Sequence, residues 1–228
     1  MAGFDLIEGR FDNRIVSEEE LWMAFNNVFS TKTVNVSSYK FVFLKSIIDC
    51  MKYANQNLQL SFEQIFTRFT EIYWILVVKY EMIQGVSNKN KTHVEQVLCH
   101  YIENNYSQER VEYCDLPDRV RSSLVRKVVS SCKRYVVGAL YEDTHKLFYS
   151  FSKKEEWIKI NPQTYKFLRK HKNSIEELNY YELSKFLVSV NEKGVMTNSK
   201  KIFSHDMEDR ISVYRKIISE EFEKSEVS

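Results

Sequence analysis

Residues 61–85 read SFEQIFTRFTEIYWILVVKYEMIQG. Ser61 with Gln64 forms a capping box, the signature of a helix start, and Gly85 supplies a stop. Between them Ile65, Phe69, Ile72, Leu76 and Tyr80 line one side, and Phe62, Phe66, Tyr73 and Val77 line a neighbouring side. A helix apolar on two sides has to be surrounded by other elements. The spacing therefore predicts a central helix in a mainly α fold.

The neighbours follow the same period. Ser17 and Glu20 open a helix over residues 17–29, with Leu21, Phe25 and Val28 inward. A second helix is predicted from Ser38 to about Asn55, carrying Phe41, Leu44, Ile48 and Met51 in one stripe. After a polar turn at Asn88 to Lys91, Thr92 and Glu95 start a fourth helix reaching about Asn105. Pro117 marks the start of a fifth, through about Lys133, lined by Val120, Leu124 and Val128. Tyr135–Tyr141 and Lys146–Ser152 are β-prone and read as a small hairpin through 142–145, with Trp157–Ile160 as a third short strand. Pro162 opens a short helix to about Lys172, Ser174 with Glu177 caps another to about Val190, and Glu192 to Ser199 reads as a loop. A last helix follows Ser204, over about 206–223. The expected architecture is a multi-helix bundle with a small antiparallel β-hairpin near 135–160. It is divided as 1–106 and 107–228, or runs as one continuous domain.

Only five Gly and two Pro occur in 228 residues, and 43% of the chain is apolar, so a disordered or loop-rich chain is excluded. No apolar run approaches the length needed to span a bilayer, and Met1 to Arg10 lacks a signal-peptide pattern. The expectation is a cytoplasmic protein. Cys50, Cys99, Cys114 and Cys132 form no Cys-x-x-Cys pair, which fits free thiols better than a disulfide frame or a zinc site.

Net charge is only +2, but its distribution is uneven. Residues 1–29 carry net −4, residues 119–172 net +10 and residues 205–228 net −3. On the fifth helix Arg119, Arg126 and Lys133 recur every seven residues along one side, with Ser122, Ser123 and Ser130 between them and Lys127 and Arg134 flanking. Short hydroxyls allow a phosphate backbone to approach, and the cations neutralise it. Lys166, Arg169, Lys170 and Lys172 form a second cluster. Of these, Arg119, Ser123, Arg126, Lys127, Lys133, Arg134, Lys166, Arg169 and Lys170 are the candidate DNA-binding set. The competing reading is a solvated helix face whose charges pair with acids elsewhere in the fold.

Catalytic patterns are missing. His93, His100, His145, His171 and His205 show no metal-binding spacing, and His205-Asp206 with Glu208-Asp209 reads as a helix start. Pro117-Asp118 matches the opening of a PD-(D/E)xK nuclease site, but the expected strands over 135–152 offer no second acid with its lysine. Gly85, Gly138 and Gly194 are isolated, so no phosphate loop is present. Tyr73, Trp74 and Trp157 are expected to pack rather than stack on bases.

Five stretches, in order, resemble the N-terminal region of a bacterial HNH endonuclease family. They are Ser38–Asp49 (SYKFVFLKSIID), Leu60–Ile65 (LSFEQI), Pro162–Leu168 (PQTYKFL), Glu182–Asn191 (ELSKFLVSVN) and Arg210–Ile218 (RISVYRKII). In that family the last helix leads into the HNH module, which has no counterpart before Ser228. The resemblance therefore implies a non-catalytic DNA-targeting or regulatory region, with a divalent metal expected only for the missing module. DNA is the expected partner. The alternative is a protein-interaction or dimerisation module that controls a nuclease or another defence component.

Overall fold

The computed structural model describes residues 5–12, 14–30, 36–86, 91–105, 111–191, 196–197, 200–201 and 206–226. It is mainly α, with a small antiparallel sheet. The described elements run β1 (Glu8–Gly9), α1 (Glu18–Val28), α2 (Tyr39–Cys50), β2 (Gln59–Ser61), α3 (Phe62–Tyr73), α4 (His93–Asn105), α5 (Asp118–Asp143), β3 (Tyr149–Ser152), β4 (Trp157–Ile160), α6 (Pro162–Lys170), α7 (Lys172–Val190), β5 (Met196–Thr197), β6 (Lys200–Lys201) and α8 (Met207–Glu226).

α3 is the central helix. Its capping box is formed as expected, the Ser61 hydroxyl accepting from the Gln64 backbone and the Gln64 side chain accepting from Ser61 N. Phe62, Ile65, Phe66, Phe69, Ile72 and Tyr73 are fully buried. The α geometry does not continue to Gly85. It gives way to a π-helical turn at Trp74–Lys79, after which the chain extends and Gly85 bridges Ser37. Trp74, Ile75, Leu76 and Val77 are all buried in this looser turn. α2 stops at Cys50 and tightens into a 3-10 turn, Met51–Tyr53.

The largest correction concerns residues 135–152. Tyr135–Tyr141 is not a strand; it is the last part of α5, a helix of 26 residues. Val128, Cys132, Val136 and Leu140 recur every fourth residue and are all buried, so the helical stripe continues past Lys133. Packing along that stripe outweighs the β preference of the Tyr-Val-Val run. The hairpin is displaced to β3 and β4, with Tyr149 opposite Ile160 and Ser152 opposite Trp157. Two unexpected strands complete the sheet in the order β1-β3-β4-β2. Gly9 faces Phe151, and Leu60 faces Ile158.

Ser174 does not cap α7, which begins two residues earlier behind His171. Ser204 and His205 lie outside the described residues, and Asp206 caps α8 by accepting from Glu208 N at 2.9 Å. The expected loop at 192–199 is described only at Met196–Thr197, which pairs with Lys200–Lys201. One contiguous apolar core runs from Val16 to Phe222 and takes in the eight described α-helices and the four-stranded sheet. α2 and α5 flank α3, α7 packs on α2, and α8 packs on α7.

Candidate nucleic-acid interface

α5 is about 39 Å long at 1.5 Å per residue, long enough to pass through the core region and still present a solvent face. Its inward side is Leu124, Val125, Val128, Val129 and Cys132. Its outward side carries Arg119, Arg126, Lys127 and Arg134, with Ser123 and Lys133 half-buried. A groove of about 720 Å³ runs along this helix. Its lining is Ser122, Val125, Arg126, Val129, Ser130 and Lys133 from α5, Glu63 from the first turn of α3, and Glu156 from the β3–β4 turn.

The positions of the walls have local causes. Ser122, Arg126, Ser130 and Lys133 are three and four residues apart, so they form one ridge. Glu63 stands at the helix start set by the Ser61–Gln64 box. Glu156 sits in a left-handed conformation (φ 59°) in the hairpin turn, and its carbonyl accepts from Phe62 N at 2.7 Å. That bond joins the hairpin turn to the α3 N-terminus.

The basic block divides into paired and unpaired cations. Lys133 binds Glu156 at 2.6 Å and Arg134 binds Asp5 at 3.3 Å. Arg121 pairs with Asp118, and Lys170 binds Glu18 at 2.8 Å beside His171 at 2.7 Å. Part of the acidic N-terminal segment therefore neutralises part of the basic block. Among the described residues Arg119, Arg126, Lys127 and Lys166 have no carboxylate partner, and Arg169 lies over the Tyr165 ring at 5.8 Å. The cluster on α6 is thus partly tied to α1, whereas the middle of α5 keeps its charges exposed. Lys153 adds a cation near Lys133 and Arg134. Burial, with those two neighbours reinforcing it, brings its amine down to about 8.

A second charged cluster is not legible in residue order, because its side chains come from three helices far apart in the chain. Lys45 is 1% exposed and donates to Asp49 at 2.5 Å and Glu176 at 2.8 Å. Arg68 is 7% exposed, donating to Asp49 at 2.7 Å, to Glu71 at 2.8 Å and to the Phe222 carbonyl at 2.9 Å. Burial opposes the Lys45 charge, yet the Asp49 carboxylate holds its pKa above the ordinary lysine range. This network joins α2, α3, α7 and α8. Its members hold these four helices together through buried ion pairs and the bond to the Phe222 carbonyl.

Tyr73 and Trp74 pack as expected, with the Trp74 indole donating to Val111 O at 2.9 Å. Trp157 is half-buried and donates to Glu155. Asp118 lies in the first turn of α5, paired to Arg121. Among the described residues no three His, Cys, Asp or Glu side chains converge as a metal site, and no helix is long and apolar enough to cross a membrane. All four cysteines are free thiols. In comparison with known proteins, no family model, no curated protein and no solved structure matches this chain.

Proposed function

We propose that the chain binds a nucleic-acid backbone through the exposed face of α5. One observation carries the reading: Arg119, Arg126 and Lys127 stay exposed without carboxylate partners among the described residues, while Arg121, Lys133 and Arg134 around them are paired. Unpaired guanidinium and ammonium groups beside serine hydroxyls suit phosphate oxygens, and each neutralised phosphate releases counterions. Taken with the sequence resemblance to HNH endonucleases, the role is that of a DNA-targeting or regulatory region.

The test is salt-dependent binding. Three phosphate contacts give a log–log slope of about −2 to −3. Charge reversal of Arg119, Arg126 and Lys127 together should abolish low-salt binding. No affinity at low salt, or unchanged affinity in the triple variant, overturns the reading.

A second reading is a protein-interaction or dimerisation module. Its support is two exposed apolar side chains, Ile15, three residues ahead of α1, and Met23, midway along it, 87% and 56% exposed. Light scattering that shows a strict monomer at high concentration counts against self-association.

A further inference from the structure

We propose that the α5 groove accepts a single strand rather than a duplex, and that Glu63 reads its bases by accepting a hydrogen bond from an exocyclic amino group. This rests on the reading of α5 as a backbone-binding face and adds the class of nucleic acid to it.

The groove sorts its chemistry by side. Ser122, Arg126 and Ser130 make a row of two hydroxyls and one unpaired cation on α5, suited to a phosphate. Val125 and Val129 form an apolar floor, suited to a sugar or the face of a base. The first turn of α3, across from that row, contributes a carboxylate, Glu63. At the Lys133 end the Lys133–Glu156 pair spans the groove and holds the second carboxylate in place. Glu63 is exposed and has no cationic partner among the described residues.

An unpaired carboxylate beside a polyanion site has to meet donors or be repelled. In a duplex the free N4 hydrogen of cytosine lies at the floor of the major groove, about 8.5 Å deep between two phosphate rows, so a carboxylate on the wall of a concave groove meets phosphates, which are like charges, before it meets that donor. A single strand has one phosphate edge and one base edge. Its unpaired bases offer amino groups to a carboxylate; cytosine N4 to Glu or Asp is an established pairing. Thymine and uracil carry no exocyclic amino group. The volume, about 720 Å³, lies in the range of small-molecule sites and corresponds to roughly one or two nucleotides, not to the flank of a double helix.

The experiment is fluorescence anisotropy with labelled oligo-dC, oligo-dT and a mixed-sequence duplex, on the full chain and on the Glu63→Gln and Arg126→Glu variants. Both positions are exposed, and superimposable circular dichroism spectra check that the variants keep the fold. The wild type should bind oligo-dC about tenfold tighter than oligo-dT, the discrimination expected of one good base contact, and the duplex more weakly than oligo-dC. Glu63→Gln, whose amide both donates and accepts, should bring the dC/dT ratio towards one and strengthen duplex binding. Arg126→Glu should weaken all three ligands. Equal dC and dT affinities, a duplex bound as tightly as oligo-dC, or a ratio unchanged in Glu63→Gln overturns the inference. If Arg126→Glu still removes binding in that case, the backbone reading stands and base reading alone falls. If no oligonucleotide binds the wild type, both fall.

Discussion

Arg68 enters the core with its charge because five acceptors and neighbours are arranged around it: Asp49, Glu71, the Phe222 carbonyl and, through Asp49, Lys45 and Glu176. Removing Arg68 takes a donor from Asp49, Glu71 and the Phe222 carbonyl at once and leaves Lys45 to balance the buried acids, which is costlier than never having built the network. Arg68→Met is expected to lower stability by about 3–5 kcal/mol, measured by urea denaturation, whereas a loss below about 1 kcal/mol, the size of a surface ion pair, would show that the network is not a tie. Thiols make a second test at this scale. Burial pushes Cys50 up to about 12 and Cys132 up to about 11, while Cys114 is exposed. Because the thiolate is the reactive form, iodoacetamide at pH 8 should label Cys114 fastest in the folded chain, and Cys50 and Cys132 only after denaturation. Mass spectrometry of the labelled peptides checks this; early labelling of Cys132 would mean that α5 is not packed as described. None of these environments is visible in residue order. Lys45 and Arg68 look like ordinary helix charges until the helices on which Asp49, Glu71 and Glu176 ride are brought together.

At the scale of elements, capping was legible and extent was not. Ser17–Glu20 and Ser61–Gln64 mark real helix starts because their caps are hydrogen bonds between residues three apart, and Pro162 marks one because its fixed φ suits the first helical position. Helix ends depend on what lies beyond. α5 runs on to Asp143 because Val136, Val137 and Leu140 find the core, and the hairpin shifts downstream as a result. β1 was invisible for a related reason: a two-residue strand has no period to detect, and its pairing partner is more than 140 residues away. Gly9 shows what holds it. A Cβ there would stand 2.5 Å from Phe151 Cε1 and 2.8 Å from Tyr141 Cζ, so the backbone lies directly on two rings. Tyr141 also donates to Arg10 O at 2.5 Å. Gly9→Ala is expected to cost about 1–3 kcal/mol, the range for an overpacked site, and to raise hydrogen-exchange rates at Lys153, whose amide donates to Ile7 O at 2.8 Å. Unchanged exchange there would mean that β1 does not depend on the close approach.

Across the whole molecule, α8 is the element that completes the core. Ile211, Tyr214, Ile218 and Phe222 are buried, and Phe222 meets the Tyr180 ring edge-on at 5.9 Å. Lys79 binds Glu221 at 2.8 Å, Arg215 pairs with Glu177, and Arg210 donates to Asn191 O at 2.8 Å. A chain ending before Met207 should lose its cooperative melt and bind a hydrophobic dye, since it uncovers α7 and the Arg68 network together. A sharp transition in that shortened chain would show that α8 is an appendage. The same scale separates the two kinds of information about this protein. Its amino-acid order alone determined the helical class, the central place of residues 61–80, most helix starts and the basic character of α5, because each rests on periodicity or on contacts a few residues apart. Only the tertiary structure decided which cations remain unpaired, since Asp5, Glu18 and Glu156 reach Arg134, Lys170 and Lys133 from distant parts of the chain. It alone set Glu63 beside Arg126 in one groove, because charge pairing acts through space and the separation along the chain carries no record of it.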